Sequence, residues 1–412
     1  MKKILALLMA MAMVFALCAC GSESAAPAAA EEAAPAAAEE AAPAAADASI
    51  KVGLIALHDE NSGYDANFIN AFKAACETCG VEGVIKTNIP EGEEAYEAAA
   101  ELADDGCAFV IADSYGHQPY ILEAAEEFPE VQFTSCTGDM AQGAGLDNYH
   151  NAFADIYQGR FIAGVAAGMK LNEMIESGKI TADQAVMGYV GAFTYAEVIS
   201  GYTSFFLGAR SVCPTVTMKV TFTGSWYDEA LEKEAAEKLI SNGCVVLSQH
   251  ADSYGAPSAC EAAGVPNVSY NLDTSDAAPT TYLAASRIYW APFFRYMLGQ
   301  CVAGEAFDTD WCGTIEQGSV EVISVSANAT AGAAEKVEEV KAQLMNGEIN
   351  VFDTANFTVG GETLTNAFAI DTDGDWVNDT SEAVIDGVFQ ESLYRSAPYF
   401  ALDIDGITIL GE

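Results

Sequence analysis

Basic side chains are scarce in this chain: 17 Lys and Arg stand against 60 Asp and Glu, for a formal net charge of −43 over 412 residues. A long-range field of that sign works against nucleic acid, anionic lipid surfaces and phosphorylated solutes as partners, and favours neutral or cationic ones. Histidine is rarer still, at 4 residues. There is no Gly-x-Ser-x-Gly elbow and no His-Glu-x-x-His helix, so the chain is not read as an enzyme. Gly143-x-Gly145-x-x-Asn148 lacks the third small residue of the dinucleotide fingerprint, and no cofactor is expected.

What is present starts with an address. The apolar run 4–17 behind the cationic Met1-Lys2-Lys3 is too short to span a bilayer and has the length of a secretory signal. It ends in Leu17-Cys18-Ala19-Cys20-Gly21, a lipobox in which Cys20 is the thiol that receives lipid and becomes the first mature residue. Two or three acyl chains on one cysteine would make the anchor durable, where a single chain gives marginal binding. Residues 1–19 are therefore expected to be a signal peptide and 20–48 a lipidated tether. The tether is nearly all Ala, Pro and Glu, with Glu-Glu-Ala-Ala-Pro-Ala-Ala-Ala recurring from Glu31, and cannot build a core. It would reach ~30 Å as a coil and ~90 Å if fully polyproline-like.

The remaining chain is long enough for two lobes of ordinary size, expected at 49–150 plus 274–320 and at 151–273 plus 321–412. Its nine cysteines, at 76, 79, 107, 136, 213, 244, 260, 301 and 312, are odd in number and scattered through apolar patterns. They read as free buried thiols rather than a disulfide framework. Strand and helix patterns alternate. Residues 50–56, 108–112, 131–135, 186–191, 215–223, 244–248 and 268–271 read as strands, with helices at 64–78, 120–128, 198–210, 228–242 and 256–263. That alternation predicts α/β parallel sheets covered by helices, with ligand beyond the carboxyl ends of the strands.

The loops at those ends join rings to hydrogen-bonding groups. They contain His58 to Asp65, Asp113-Ser114-Tyr115-Gly116, Phe193 to Glu197, Gly224-Ser225-Trp226-Tyr227-Asp228, Gln249 to Ser253, and Asn271-Leu272-Asp273. Aromatic platforms beside directed polar groups describe a pocket for a heterocycle or a sugar. Taken singly, each loop also fits cap and turn chemistry, as with Asp228 at a helix start.

Several stretches carry a more specific resemblance. They are Lys51-Val-Gly-Leu-Ile with Asp65-Ala-Asn-Phe68, Tyr157-Gln158-x-Arg160-Phe-Ile-Ala-Gly164, Gly188-Tyr-Val-Gly191, Gly224-Ser-Trp-Tyr-Asp228, Gln249-His-Ala-Asp-Ser253, Tyr270-Asn-Leu-Asp273 and Trp290. Across 50–360 the chain resembles the basic membrane lipoprotein (BMP) family of ABC-importer solute-binding proteins, whose members bind purine bases or nucleosides. The resemblance implies a type I periplasmic-binding fold of two Rossmann-like lobes, here with crossovers near Tyr149, Asp273 and Val320. It implies capture of a purine base or nucleoside by hinge closure and delivery to ABC permease subunits, with no nucleic acid partner. Phe68, Phe193 and Trp226 would supply stacking surfaces, Phe68 having core as its other reading. Asp113, Asp252, Asn271 and Asp273 would read the ligand's edge, and Tyr64, Asp65, Ser114 and His250 complete the implied site. Gly63-Tyr64-Asp65-Ala66 stands where nucleoside-binding members show two adjacent aspartates and a lysine, which leaves a free base, another ring or a sugar open.

Two further patterns have chemistry of their own. His58, His117 and His250 with Asp252 could serve a metal-binding receptor, although their spacing matches no short metal motif. Asp371-x-Asp373-x-Asp375 with Asp379 and Glu382 echoes a calcium loop, but Trp376 occupies the glycine position, so Asp373-Gly374 is read as a hairpin turn.

Overall fold

The computed structural model describes residues 50–366, 371, 377 and 379–411. The signal sequence, Cys20 and the tether fall outside the described residues, as do 372–376 and 378 of the acidic run from Asp371 to Glu382. Among the described residues, no helix is long and apolar enough to cross a membrane.

The apolar strand runs become the centres of two sheets. The first holds β1 (Lys51–Ile55), β2 (Glu82–Lys86), β3 (Cys107–Ala112), β4 (Gln132–Cys136) and β5 (Tyr149–Ala154). The second gathers β6 (Val186–Gly191), β7 (Thr217–Phe222), β8 (Val246–His250), β9 (Asn267–Tyr270) and β10 (Tyr282–Ile288). Two later strands, β11 (Asp310–Gly313) and β12 (Val320–Ile323), extend them. The first sheet runs β11-β5-β4-β3-β1-β2, and every pairing is parallel. The second runs β12-β10-β9-β8-β6-β7 and closes on Ile407–Ile409, with β12 alone antiparallel. Strands buried on both faces, such as β5, read as unbroken apolar or neutral runs because helices cover them.

The chain changes sheet at Asp155, between Ile288 and the helix Ala291–Ala303, and between Gly313 and Val320. The first and third changes lie close to the expected crossovers, and the second is displaced. Residues 274–320 were expected in the first lobe, yet β10 pairs with β9 in parallel and with β12 in the second sheet. Only after Ile288 does the chain return to the first lobe, where Trp290 stacks on Phe68 at 4.2 Å and Phe294 meets Phe72 edge-on at 5.5 Å.

Residues beyond 355 tie both lobes together. Ile407–Ile409 adds a strand beside β7, and Phe400 stacks on Phe352 at 4.4 Å. From the same segment, Ser396 donates twice to Asp310, Ser392 Oγ donates to Asp155 at 2.6 Å, and Arg395 pairs with Asp139 at 3.2 Å. All nine cysteines of the body are free, and all but Cys301 and Cys312 are buried. Burial pushes the Cys76 and Cys244 thiols up to about 12, which removes thiolate character at neutral pH.

Candidate functional site

Between the carboxyl ends of the two sheets lies a narrow pocket with about 20 Å³ of free space, at the place where open α/β sheets put their ligand sites. The first lobe lines it with Leu57, His58, Tyr64, Asp65, Ser114, Tyr115 and Thr137, and the second with Glu197, Trp226, His250, Asp252 and Tyr270. Each comes from the end of a strand, the loop just beyond it or the first turn of the helix that follows, the placement expected for open α/β sheets.

Local chemistry fixes the first-lobe wall. Ser62 caps the helix Gly63–Cys79 by accepting from the Asp65 amide at 3.3 Å. This cap presents Asp65 to the His58 amide at 2.7 Å and to the His58 ring Nδ1 at 3.3 Å. Burial would raise the Asp65 carboxyl, but the hydrogen bonds from His58 and Ser62 outweigh it and hold the group below its ordinary range. Tyr64 turns its ring to the cavity and donates its hydroxyl to the Asp113 carbonyl at 2.6 Å. At the end of β4, Thr137 sits at φ 63°, a region β-branched residues rarely adopt, and such strain gathers at binding sites.

The second-lobe wall is aromatic and acidic. Trp226 meets Phe193 edge-on at 5.1 Å, and Phe193 stacks on Tyr195 at 5.2 Å. Tyr195 in turn reaches Tyr115 of the first lobe at 5.3 Å. The Asp252 amide donates to the Trp226 carbonyl at 3.0 Å, so ring and carboxylate are held by neighbouring backbone. Burial, then the charges of Asp65, Glu232 and Glu197, pushes the Asp252 carboxyl well above its ordinary range. Its oxygens have no hydrogen-bond donor among the described residues. Behind it, Glu232 accepts from the Ser253 and Asp228 amides at 3.2 Å and secures the loop after β8. Among the described residues, no Lys or Arg lines the cavity.

Six of the eleven expected residues, Tyr64, Asp65, Ser114, Trp226, His250 and Asp252, line this space. The others stand behind it or away from it. Phe68 is fully buried between Tyr64 and Trp290, so its ring faces are taken by core. Asp113 is fully buried, accepts from the Leu57 amide at 3.1 Å, and is driven well above the carboxylate range by burial and by Asp65. Phe193 backs Trp226 rather than the cavity. Asn271 is buried at φ 61°, and Asp273 accepts from the Ser275 amide at 2.8 Å, the side-chain-to-backbone bond of a turn. Residues missed by the sequence reading include Glu197 and Tyr270. Both lie in stretches already singled out, Glu197 in the loop Phe193 to Glu197 and Tyr270 in the strand 268–271.

Of the residues of the metal reading, His58, His250 and Asp252 line the cavity and His117 does not. His117 hydrogen-bonds the Ile89 carbonyl at 2.9 Å and His250 pairs with Glu197 at 3.2 Å. Among the described residues, no three His, Cys, Asp or Glu are grouped so as to hold a metal ion. Asp371, at the edge of the acidic run, lies 4.0 Å from Arg395.

Known proteins resemble this chain in sequence and in fold. A family model described as ABC transporter substrate-binding protein PnrA-like, Bmp, matches residues 56–355. A purine-binding protein of Brucella abortus (strain 2308) is 29% identical over 310 residues, covering 74% of this chain and 84% of that one. A candidate ABC transporter glucose-binding protein of Haloferax volcanii is 28% identical over 267 residues, covering 65% of this chain and 64% of its own. In solved structures, an ABC transporter solute-binding protein from Conexibacter woesei DSM 14684 superposes with a TM-score of 0.59 at 21% identity, covering 73% of this chain and 98% of that one.

Proposed function

We propose, for a chain that belongs to the Bmp family of PnrA-like ABC transporter substrate-binding proteins, that the captured solute is a purine base, free or as its nucleoside. The family consists of extracytoplasmic receptors rather than enzymes, which bind small molecules and deliver them to permease subunits.

One observation carries the choice of solute. Asp252 lines the cavity beside the Trp226 ring with no protein donor for its oxygens, and Asp65 and Glu197 line the same space without a Lys or Arg. A flat ring with N–H groups on its edge satisfies both features: the indole and phenol rings take its faces, and the carboxylate accepts from its edge. A phosphorylated solute would meet only like charge. The relative from Brucella abortus, named as purine-binding, supports the same reading. Closure would follow because groups from both lobes meet the ligand together, so it binds the closed state better than the open one. We also assign a lipid to Cys20, with 22–48 as the tether that lifts the lobes from the membrane.

A thermal-shift series with adenine, guanine, hypoxanthine, their nucleosides, ribose and glucose tests the solute. A ligand at 100 times its Kd stabilises the native state by about 2.7 kcal/mol, which a melt resolves. Purines are expected to raise the melting temperature. Glucose is included because of the Haloferax volcanii relative, and a shift with sugars alone would replace the purine reading. A shift with divalent cations alone would favour the metal reading. Mass spectrometry of the amino-terminal peptide from membranes tests the lipid, with Cys20→Ser as the unmodified control.

A further inference from the structure

We propose that Arg160 is a positioning residue of this cavity, anchoring a one-way hydrogen-bond relay through Tyr189 and His250 that fixes Glu197 as an acceptor for ligand N–H groups. The proposal rests on reading the cavity as a site for a donor-edged ring. Arg160 belongs to a stretch that carried the family resemblance without a role, and no part of it lines the cavity.

Its surroundings are unusual for a charged group. Arg160 is fully buried in the helix Ile156–Glu176, and its hydrogen bonds go to neutral oxygens: the Gln249 carbonyl at 2.7 Å, the Tyr189 hydroxyl, and the Ser286 hydroxyl at 3.5 Å. Its guanidinium carbon sits 4.2 Å from the centre of the Tyr270 ring, whose other surroundings include the cavity. Burying a guanidinium without a carboxylate is costly, so stability alone is a poor reason for its presence.

The direction of the relay is forced by what each group can do. A guanidinium only donates, so the Tyr189 oxygen accepts from Arg160. The Tyr189 proton is then available to His250 Nδ1, 3.4 Å away, and because the Glu197 carboxylate can only accept from Nε2, a neutral His250 ring leaves Nδ1 as the acceptor. A neutral imidazole with a bare Nδ1 carries its proton on Nε2, and that proton points to Glu197 Oε1 at 3.2 Å. Burial, reinforced by the charge of Arg160 and opposed by Glu197, keeps His250 below its ordinary range, in agreement with a neutral ring. Glu197 makes no other hydrogen bond among the described residues, so its second oxygen is left to accept from a solute. Without Arg160 the Tyr189 hydroxyl can turn, the imidazole can exchange tautomers, and a bare Nε2 would face a carboxylate.

Nitrogen-15 NMR of the His250 ring in the ligand-free protein tests the relay without reference to any solute. The expected spectrum shows an acceptor Nδ1 and a protonated Nε2 at neutral pH, mixed tautomers in Tyr189→Phe and Arg160→Met, and the native signature restored in Arg160→Lys. A protonated Nδ1 in the native protein, or a signature unchanged in Tyr189→Phe, would overturn the relay. Binding supplies the second arm, with guanine and adenine as probes. Tyr189→Phe should weaken binding about tenfold, the loss of one hydrogen bond to a charged group. The double variant Tyr189→Phe/Glu197→Gln should lose no more than Glu197→Gln alone. Additive losses would mean that Tyr189 and Arg160 merely support the fold. If neither purine binds the native protein, the solute reading fails while the NMR outcome still decides the relay. Tyr189→Phe keeps the ring volume, so the test stands even if Arg160→Met does not fold.

Discussion

Gly164 lies directly against the Phe205 carbonyl of the neighbouring helix, so close that a β-carbon at 164 would overlap that oxygen. Gly208 stands in the same relation to the Phe161 carbonyl. The helices Ile156–Glu176 and Ala196–Val212 therefore touch backbone to backbone, and their approach carries Arg160 to one side of the second sheet and Glu197 to the cavity. Because backbone cannot swing away as a side chain can, Gly164→Ala is expected to destabilise the protein by about 3 kcal/mol. Equilibrium urea unfolding would measure it, and an unchanged midpoint would mean the helices separate freely.

Asp252→Asn should move affinity and stability in opposite directions. Removing a carboxylate that has no protein donor relieves a desolvated, repelled charge, so the ligand-free melting temperature rises. Losing the charged acceptor weakens purine binding by about 1.5–3 kcal/mol. Calorimetry with guanine alongside the melt would show both, and a parallel fall in both quantities contradicts the placement of Asp252.

Two aromatic residues expected to play one role should separate. Trp226→Ala removes a cavity wall and should cost about 1–3 kcal/mol of binding with modest loss of stability. Phe68→Ala opens a void beside Trp290 and should cost about 3–5 kcal/mol of stability. Unfolding and binding measured on each variant distinguish them.

The contribution of two buried glutamates to stability should fall as pH rises from about 5 to 8. Burial pushes Glu391 up to about 8 and Glu232 up to about 7, both above the ordinary carboxylate value of ~4.3. In that window the folded chain holds protons that the unfolded chain has released. The stabilisation is complete below the unfolded value and disappears through the folded one. Glu391→Gln keeps an acceptor for the Phe400 amide, now at 2.9 Å, and should flatten the slope. A slope identical to that of the native chain would place the effect elsewhere.

The alternation of strands and helices was legible because buried parallel strands and their covering helices need different apolar periods, and both periods are local. The carboxyl-end loops were legible for a related reason: polar residues and rings interrupt those periods where the chain leaves a strand. Tyr64, Trp226 and Asp252 could be found that way. Phe68 could not be told from a ligand platform, since its stacking partner Trp290 is more than two hundred residues away in sequence. Asp273 is the converse case, because a turn aspartate and a ligand-gripping aspartate look alike in sequence until their donors are seen.

By itself, the sequence determined the alternating architecture, the sign of the field around the molecule and the set of loops from which a site could be built. Those properties depend on composition and on neighbours a few residues apart. Which carboxylate is left without a donor, which way the proton chain from Arg160 to Glu197 runs, and where β10 pairs were decided only by tertiary structure. Each depends on groups brought within a few ångströms from distant parts of the chain, and hydrogen bonding and desolvation act only at that range.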